Sequence, residues 1–329
     1  MAKLANVSVA SASRVLNGIG TRPETLTQVL EAAERVGYLP NASARSLRSK
    51  RTGQIAFALP DVSNPVYASM ARAIQAVAHE HGCRLVLHST NADAEDELEI
   101  LRDLRRRFVD GLILVPLNVT PAHLAEFERA AAPLVVIGTV PEGIAVDAVG
   151  ADSRRGAALA VKHLHAGGRR RIGLVNGPVS TTPGAARRLG YLDGLRAAKQ
   201  KRDERVIEAA DEFSIESGRA ATLRLLDRAD VDGLLCANDL LAAGAIDALR
   251  SAGRVIPDDV AVVGMDNSEL VEITWPSLSS VDLGSVERAR HAIRLLLDRI
   301  EHPSRPAVRV HVAAELRVRS SSTAGTPAA

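Results

Sequence analysis

Arg14 stands among small residues and could donate hydrogen bonds to a DNA base. Ser8 is a suitable N-cap and Asn17-Gly18 a suitable stop, so residues 9–16 are predicted to form a helix of about two turns. The small residues at 10–13 would let its backbone approach the major-groove floor, where a guanidinium can donate to guanine O6 and N7. An ordinary amphipathic helix with a surface arginine explains the same residues, and the segment alone favours that simpler interpretation.

A second group of basic residues lies between positions 45 and 51. Asn41 could cap a single short helix with Leu47 on one side and basic residues around it, namely Arg45, Arg48, Lys50 and Arg51. So short a helix is unstable alone. It could order on DNA, with its charges along the phosphates and Leu47 wedged into a minor-groove step. A flexible basic linker is also compatible with the pattern in the unbound protein.

Polar side chains follow several apolar runs in the rest of the chain. They are Asp61, Asn64, Asp152, the pair Asn238-Asp239 and the pair Asp266-Asn267. Because the carboxyl ends of parallel strands meet at one edge of a sheet, such residues can line a ligand cleft. Each of them, taken singly, could instead cap the helix that follows its strand.

The elements that would position Arg14 form a helical unit. Residues 2–5 are compatible with the last turn of a helix, and Asn6-Val7 with a tight turn into the helix at 9–16. A third helix opens with Pro23-Glu24 and is ended by Gly37. Its apolar residues recur at helical spacing, at positions 26, 29, 30, 33 and 36. Three short helices with a tight first turn predict a helix-turn-helix unit.

From residue 54 onward, apolar runs alternate with amphipathic helical stretches. The runs are 55–59, 84–88, 111–115, 134–138, 172–175, 233–236 and 260–264. Continuous apolar strands separated by helices predict parallel sheets covered on both faces. Because the runs fall into two series, we expect an α/β core of two doubly wound lobes in tandem.

The net charge of +2 conceals an asymmetry. Residues 1–53 hold eight Lys/Arg and three Glu, whereas the remainder holds 33 basic and 36 acidic residues. A basic segment can attract phosphate backbones, although a short positive run is more often a solvated face. Cys83 and Cys236 are expected to be buried free thiols. With no signal peptide and no apolar run of membrane-spanning length, the sequence predicts a soluble cytoplasmic protein.

These features together resemble the lactose-repressor (LacI) family of bacterial transcription regulators. In the head the resemblance rests on LANVSVASASRVLNG at 4–18 and VLEAAERVGYLPNASARSL at 29–47. In the core it continues through PDVSNP at 60–65, Gly177-Pro178, Arg187, AND at 237–239 and GMD at 264–266. The combination is highly specific and covers nearly the whole chain. It implies a DNA-binding regulator, most often a repressor, that acts as a homodimer on a near-palindromic operator.

The resemblance also implies a domain organisation, with two departures from the family. We expect a helix-turn-helix head at 1–39, a hinge at 40–52 and a periplasmic-binding-protein-like core at 53–329. Lobe 1 of this core would span about 53–152 plus 283–312, and lobe 2 about 153–282 plus 313–329. Met1 falls in mid-helix, so either the start lies upstream or the head is shortened. Arg22 replaces the usual capping Ser, at a cost on the order of 1 kcal/mol.

Site residues follow from the same resemblance. DNA contacts are expected from Ser8, Val9, Ala10, Ser13, Arg14, Asn17, Tyr38, Asn41, Ala44, Arg45, Leu47, Arg48 and Lys50. The effector is expected to contact Asp61, Asn64, Tyr67, Asp152, Arg187, Phe213, Asn238, Asp266 and Trp275. Asp, Asn and Arg beside an aromatic face suit a sugar's hydroxyls and C–H surface. The loop at 177–184 lacks the arginine of purine-sensing relatives, which favours a sugar over a purine.

Other functions remain as alternatives. An enzyme is disfavoured because the sequence contains no dinucleotide fingerprint, nucleophile elbow, P-loop or metal-ligand cluster, and no metal or cofactor is expected. A periplasmic sugar-binding protein would share the two-lobed core, but the basic head and the missing export signal oppose it. A third alternative keeps the family and loses DNA binding through the short first helix.

Overall fold

The computed structural model describes residues 2–16, 20–38 and 51–323. Residues 2–6 form a turn with the features of a helix C-terminus. Asn6 adopts a left-handed backbone conformation (φ 50°), and the Val7 N–H donates to the Ala2 carbonyl at 3.1 Å. Helix α1 (Val9–Leu16) follows at once. The hydroxyl of Ser8 accepts a hydrogen bond from the Ser11 N–H at 3.0 Å, so Ser8 caps α1 as expected. The proposed stop at Asn17-Gly18 lies outside the described residues.

The second described helix of the head, α2, spans Pro23–Arg35. Arg22 precedes it without a side-chain capping bond. Gly37, at φ +60°, ends it, and the Tyr38 N–H returns to the Ala33 carbonyl at 2.9 Å. A small core joins the head elements and consists of Ala5, Ala12, Val15, Val29 and Ala32. These two helices and the preceding tight turn form the expected helix-turn-helix arrangement.

The first lobe is built on a six-stranded parallel sheet. Its strands are β1 (Gln54–Leu59), β2 (Arg84–Ser89), β3 (Gly111–Leu114), β4 (Leu134–Ile137), β5 (Asp147–Ala151) and β11 (Arg309–Val312). They lie in the order β11-β5-β4-β3-β1-β2. Helices α3 (Pro65–Glu80) and α11 (Ser285–Glu301) pack on one face, and α4 (Ala94–Asp103) and α5 (Pro121–Arg129) on the other.

The second lobe repeats this plan. Its strands are β6 (Ile172–Asn176), β7 (Ile207–Ala209), β8 (Gly233–Cys236), β9 (Ala261–Met265), β10 (Ser279–Asp282) and β12 (Glu315–Arg317), in the order β12-β10-β9-β8-β6-β7. Its helices are α6 (Ser153–Ala166), α7 (Thr182–Ala197), α8 (Ile215–Arg228), α9 (Asp239–Ser251) and α10 (Leu270–Ile273). Only β12 runs antiparallel to its neighbour among the described strands. The expected two-lobed α/β architecture is therefore confirmed, with one antiparallel edge strand.

The chain passes between the lobes three times, and this explains how late segments complete early sheets. The crossings lie between β5 and α6, between β10 and α11, and between β11 and β12. Asp147 opens β5 although it is fully buried, because Arg299 and Arg305 donate to its carboxylate at 2.8 to 3.0 Å. That ion-pair cluster fixes α11 to the first sheet.

The two cysteines differ in burial. Cys83 and Cys236 are both free, but only Cys236 is buried. Cys83 is half-buried because it lies in the turn that follows α3 rather than within a strand. Across the described ranges, no helix is long and apolar enough to cross a membrane. In the same part of the chain, no cluster of three His, Cys, Asp or Glu side chains could hold a metal ion.

Candidate functional site

A cavity of about 760 Å³ lies between the two lobes, at the carboxyl ends of their strands. Cavities of this size hold small-molecule ligands. Residues from both lobes line it, so a ligand inside would contact both. Eight of the nine expected effector residues are among them: Asp61, Asn64, Tyr67, Asp152, Arg187, Phe213, Asn238 and Asp266.

Arg187, on α7, is held in the cavity wall by several contacts. Its guanidinium donates to the Ala237 carbonyl and, at 3.2 Å, to Oδ1 of Asp266. It also lies over the Phe213 ring, 5.8 Å from the centroid. Within the described residues its Nε has no hydrogen-bond partner. The arginine is therefore held in place by protein groups on one side and still offers a donor.

Asp266 lies directly after β9 with a left-handed backbone (φ 103°), which turns its carboxylate toward Arg187. Burial raises the pKa of Asp266, and the positive charges of Arg187 and Arg288 oppose that rise. Asp239 lies behind it and accepts hydrogen bonds from the Ser268 N–H, the Ser268 hydroxyl and the Ser280 hydroxyl. Burial, and then the charge of Asp266, raise the pKa of Asp239 to about 7.

Three polar residues cap helices and also line the cavity. Asn64 accepts from the Val66 N–H at 3.1 Å, Asp152 from the Arg155 N–H at 2.8 Å and Asn238 from the Leu241 N–H at 2.8 Å. The capping interpretation and the ligand-binding interpretation are therefore compatible. Capping uses one oxygen of each side chain, and this fixes the orientation of its other polar atom.

Of the three aromatic residues expected at the cavity, two line it and one does not. Tyr67 and Phe213 line the cavity, and burial raises the pKa of the Tyr67 hydroxyl. Trp275 does not line it and is 81% exposed. It follows the four-residue helix α10, on a surface segment that leads away from the strand ends. The expectation that Trp275 covers the effector is therefore not met in this structure.

Sequence reasoning missed Arg288, on α11, which lines the cavity from the first lobe. The buried face of α11 consists of Ser285, Ala289, Ala292, Ile293 and Leu296. Arg288 is one turn from Ala292 and thus falls on this apolar face. A charged residue at a core-facing helical position is the signal that could have identified it.

A second missed feature is a polar bridge across the mouth of the cleft. Asn118 follows β3 in the first lobe, and its Nδ2 donates to the Ser180 carbonyl of the second lobe at 2.9 Å. Its Oδ1 accepts from the Thr182 N–H at 2.9 Å and from the Thr182 hydroxyl at 3.2 Å. Three hydrogen bonds to one side chain therefore join the lobes next to the cavity.

In the head, α1 buries Ala12 and Val15 and exposes Val9, Ala10 and Arg14. Ser8 and Ser13 are described in the same helical segment, and Tyr38 is exposed after α2. The remaining expected DNA contacts lie outside the described residues: Asn17, Asn41, Ala44, Arg45, Leu47, Arg48 and Lys50. The described part thus presents Arg14 on the outer surface of α1.

Two family descriptions match the chain. The one for bacterial regulatory proteins of the lacI family matches residues 1–41. The one for a periplasmic-binding-protein-like domain matches residues 161–322. The first coincides with the helix-turn-helix head, and the second lies mainly in the second lobe.

Similar proteins match over nearly their full length. The ribose operon repressor of Halalkalibacterium halodurans is 33% identical over 99% of this chain and 96% of that protein. The structure of the transcriptional regulator CelR in complex with cellobiose is 32% identical, with a TM-score of 0.75 over 97% of this chain and 98% of that one. The Lac repressor dimer bound to operator has a TM-score of 0.87 over 98% of both chains. At 23% identity, that last likeness shows the fold alone.

Proposed function

The chain belongs to the LacI family of bacterial regulatory proteins, and we propose that it is a transcriptional repressor controlled by a sugar bound between its two lobes. The single observation that supports the sugar is the cavity wall made of Arg187, Asn238, Asp266 and Phe213. A guanidinium, an amide and a carboxylate can pair with adjacent hydroxyls while an aromatic face covers C–H groups. Its relatives include a ribose operon repressor and a regulator in complex with cellobiose.

We assign residues 1–39 to the DNA-reading head, 40–52 to the hinge and 53–329 to the effector core. In this assignment Arg14 contacts a base edge from α1, and the basic residues of the hinge contact phosphates. Because one head reads one half-site, the repressor acts as a homodimer on a near-palindromic operator. Light scattering in solution tests the dimer, and a tetramer or a strict monomer contradicts it.

The repressor works in the cytoplasm, where it meets chromosomal DNA, and it carries out no catalytic reaction. The sugar favours one relative orientation of the lobes because it contacts both, and this orientation sets the spacing of the paired hinges. Coupling of this kind is reciprocal: if sugar weakens operator binding, operator weakens sugar binding by the same factor, typically about 5–150-fold.

The test begins by selecting binding sites from a random duplex library with the full chain. Operator affinity is then titrated with and without a panel of sugars, and purines are included because a purine effector is the second candidate. Asp266→Asn should abolish the response and leave ligand-free operator affinity intact. Asp247→Asn is the matched control, since Asp247 is exposed and, within the described part of the chain, its recorded partner is Arg219. A response to purines alone, or a normal response of Asp266→Asn, contradicts the proposed site.

A further inference from the structure

Arg288 is a half-buried cation in the cavity wall whose Nε is fully buried. Across the described residues its side chain makes no hydrogen bond or ion pair, and its Nε is buried and unsatisfied. Burial lowers the pKa of Arg288, and the nearby carboxylate of Asp266 only partly offsets this effect. Buried charges in proteins are normally paired, because a charge that loses water without gaining a partner destabilises the fold. A guanidinium left unpaired in a ligand cavity therefore indicates that the ligand supplies its partner.

No carboxylate of the described residues pairs directly with Arg288. Arg187 and Arg288 both affect Asp266, but only Arg187 donates a hydrogen bond to it. Glu97, the other buried carboxylate of the lining, is bonded to Nε2 of His123 at 2.9 Å. Asp266 and Asp282 both raise the pKa of Arg288, but among the described residues neither forms a hydrogen bond or an ion pair with it.

The two arginines belong to opposite lobes. Arg187 projects from α7 of the second lobe and Arg288 from α11 of the first, and the charge of Arg187 lowers the pKa of Arg288. The charge of Asp266, which also belongs to the second lobe, outweighs this repulsion, so the main unfavourable effect on Arg288 is its loss of water on burial. An anion next to Arg288 that also contacts second-lobe residues would compensate for that loss and favour the closed orientation.

The rim of the cavity limits the charge of that anion. Its exposed acidic residues are Asp152, Asp211 and Glu212, and these repel a doubly charged phosphate more strongly than a single carboxylate. We propose that the effector is a sugar acid whose carboxylate pairs with Arg288 while its hydroxyls contact Arg187, Asn238 and Asp266. This inference rests on the proposed sugar-binding function and specifies the class of sugar.

The test is isothermal titration of the full chain with matched pairs of neutral and acidic sugars. Glucose is compared with glucuronate and with gluconate, and galactose is compared with galacturonate. Glucose 6-phosphate, cellobiose and ribose complete the panel. At least one acid should bind about tenfold or more tightly than its neutral counterpart. Arg288→Met should remove this preference, whereas Arg288→Lys should retain part of it because the positive charge remains.

Arg290→Met is the matched control, since Arg290 lies exposed on the same helix and its loss removes the same charge. It should leave the preference for acids unchanged. A ligand-free measurement adds a second criterion: Arg288→Met should raise Tm, because an unpaired buried charge is replaced by an apolar side chain of similar length. A lower Tm would assign Arg288 a structural role and overturn the inference.

The remaining outcomes separate this inference from the proposed function. A neutral sugar could bind the parent most tightly and bind Arg288→Met equally well. The proposed sugar-binding function would then be supported, and the inference that the effector is a sugar acid would be wrong. If glucose 6-phosphate binds more tightly than every sugar acid, the proposal that the anionic group is a carboxylate is also wrong. If no sugar of either kind binds the parent, the sugar-acid inference is overturned together with the sugar-binding proposal.

Discussion

The carboxylate of Asp110 accepts hydrogen bonds from both the main-chain N–H and the hydroxyl of Thr52, at 2.6 and 3.0 Å. Its second oxygen accepts from the Gly53 N–H at 2.8 Å. Asp110 immediately precedes β3, and Asn118, which bonds the second lobe, lies just beyond the other end of that strand. A single strand therefore connects the point where the chain enters the core with the bridge between the lobes.

We predict that Asp110→Asn weakens this connection. An amide has one accepting oxygen instead of two, so at least one of the bonds from Thr52 or Gly53 is lost. Urea unfolding should show a loss of about 1.5–3 kcal/mol, the range for hydrogen bonds to charged groups. The sugar-induced change in operator affinity should shrink while sugar affinity is retained.

Asp103→Asn provides the control for Asp110, because Asp103 pairs with Arg106 near the surface of the same lobe. It should change neither the free energy of unfolding nor the sugar-induced change in operator affinity appreciably. If Asp110→Asn responds to sugar as strongly as the parent does, β3 does not carry the signal.

The bridge made by Asn118 gives a second prediction. Asn118→Ala removes three hydrogen bonds between the lobes, so the cleft should open more often. Small-angle scattering should detect a larger radius of gyration without ligand, and sugar affinity should fall about tenfold, which corresponds to roughly 1.4 kcal/mol. Thr182→Val removes only the 3.2 Å bond from the hydroxyl and should have a smaller effect. Equal scattering curves for parent and Asn118→Ala would exclude a closing role.

Local signals predicted the elements whose geometry is decided within a few residues. Ser8 caps α1, and Gly37 ends α2 because it adopts the left-handed conformation that favours glycine. The seven apolar runs all became strands of the two sheets. The five strands that the sequence did not reveal all contain polar residues: β5, β7, β10, β11 and β12. They are stabilised by neighbours that lie far away in sequence, as the pairing of β5 with β11 illustrates.

The cavity residues that directly follow a strand could be predicted from the sequence. A cavity residue that is contributed by a helix could not. Asp61, Asn238 and Asp266 line the cavity because parallel strands end at one edge. Arg288 reaches the same cavity from α11, a helix that crosses back into the first lobe, so its position depends on topology. Trp275 was expected in the cavity but lies outside it, because an aromatic residue near a strand in sequence can still point into solvent.

The raised pKa of Asp239, about 7, predicts a pH dependence of stability. An aspartate in the unfolded chain has a pKa near 4. Between about pH 4 and 7 the folded protein thus holds a proton that the unfolded chain has lost. The stability from this group is present below about pH 4 and is lost as pH rises through about 7.

Asp239→Asn lacks this titration. Its free energy of unfolding relative to the parent should therefore increase from pH 5 to 7, by at most about 1.4 kcal/mol per pH unit. Urea denaturation at pH 5, 6, 7 and 8 measures the difference, which should level off above about pH 7.5. Asp247→Asn, on the exposed face of the same helix, should give a difference that does not change with pH. A constant difference for Asp239→Asn as well would show that Asp239 is ionised throughout.

Arg14 is expected to recognise a DNA base. Helix α1 packs through Ala12 and Val15, which leaves the Arg14 side chain exposed on its outer surface. Arg14→Ala should cost about 1–3 kcal/mol on the selected operator and relax the sequence preference, because a base-edge contact is lost. Arg14→Lys should also lose preference, since an ammonium cannot reproduce the paired donors of a guanidinium.

Lys50→Ala is the contrasting variant, because the hinge lysine is assigned to a phosphate. It should weaken binding to selected and scrambled duplexes alike and should reduce the slope of log K against log salt by about 1. Titrations of both duplexes at several salt concentrations measure affinity, preference and slope together. If Arg14→Ala weakens both duplexes equally, as Lys50→Ala should, then Arg14 contacts the backbone and the base-reading residue must be sought elsewhere on the head.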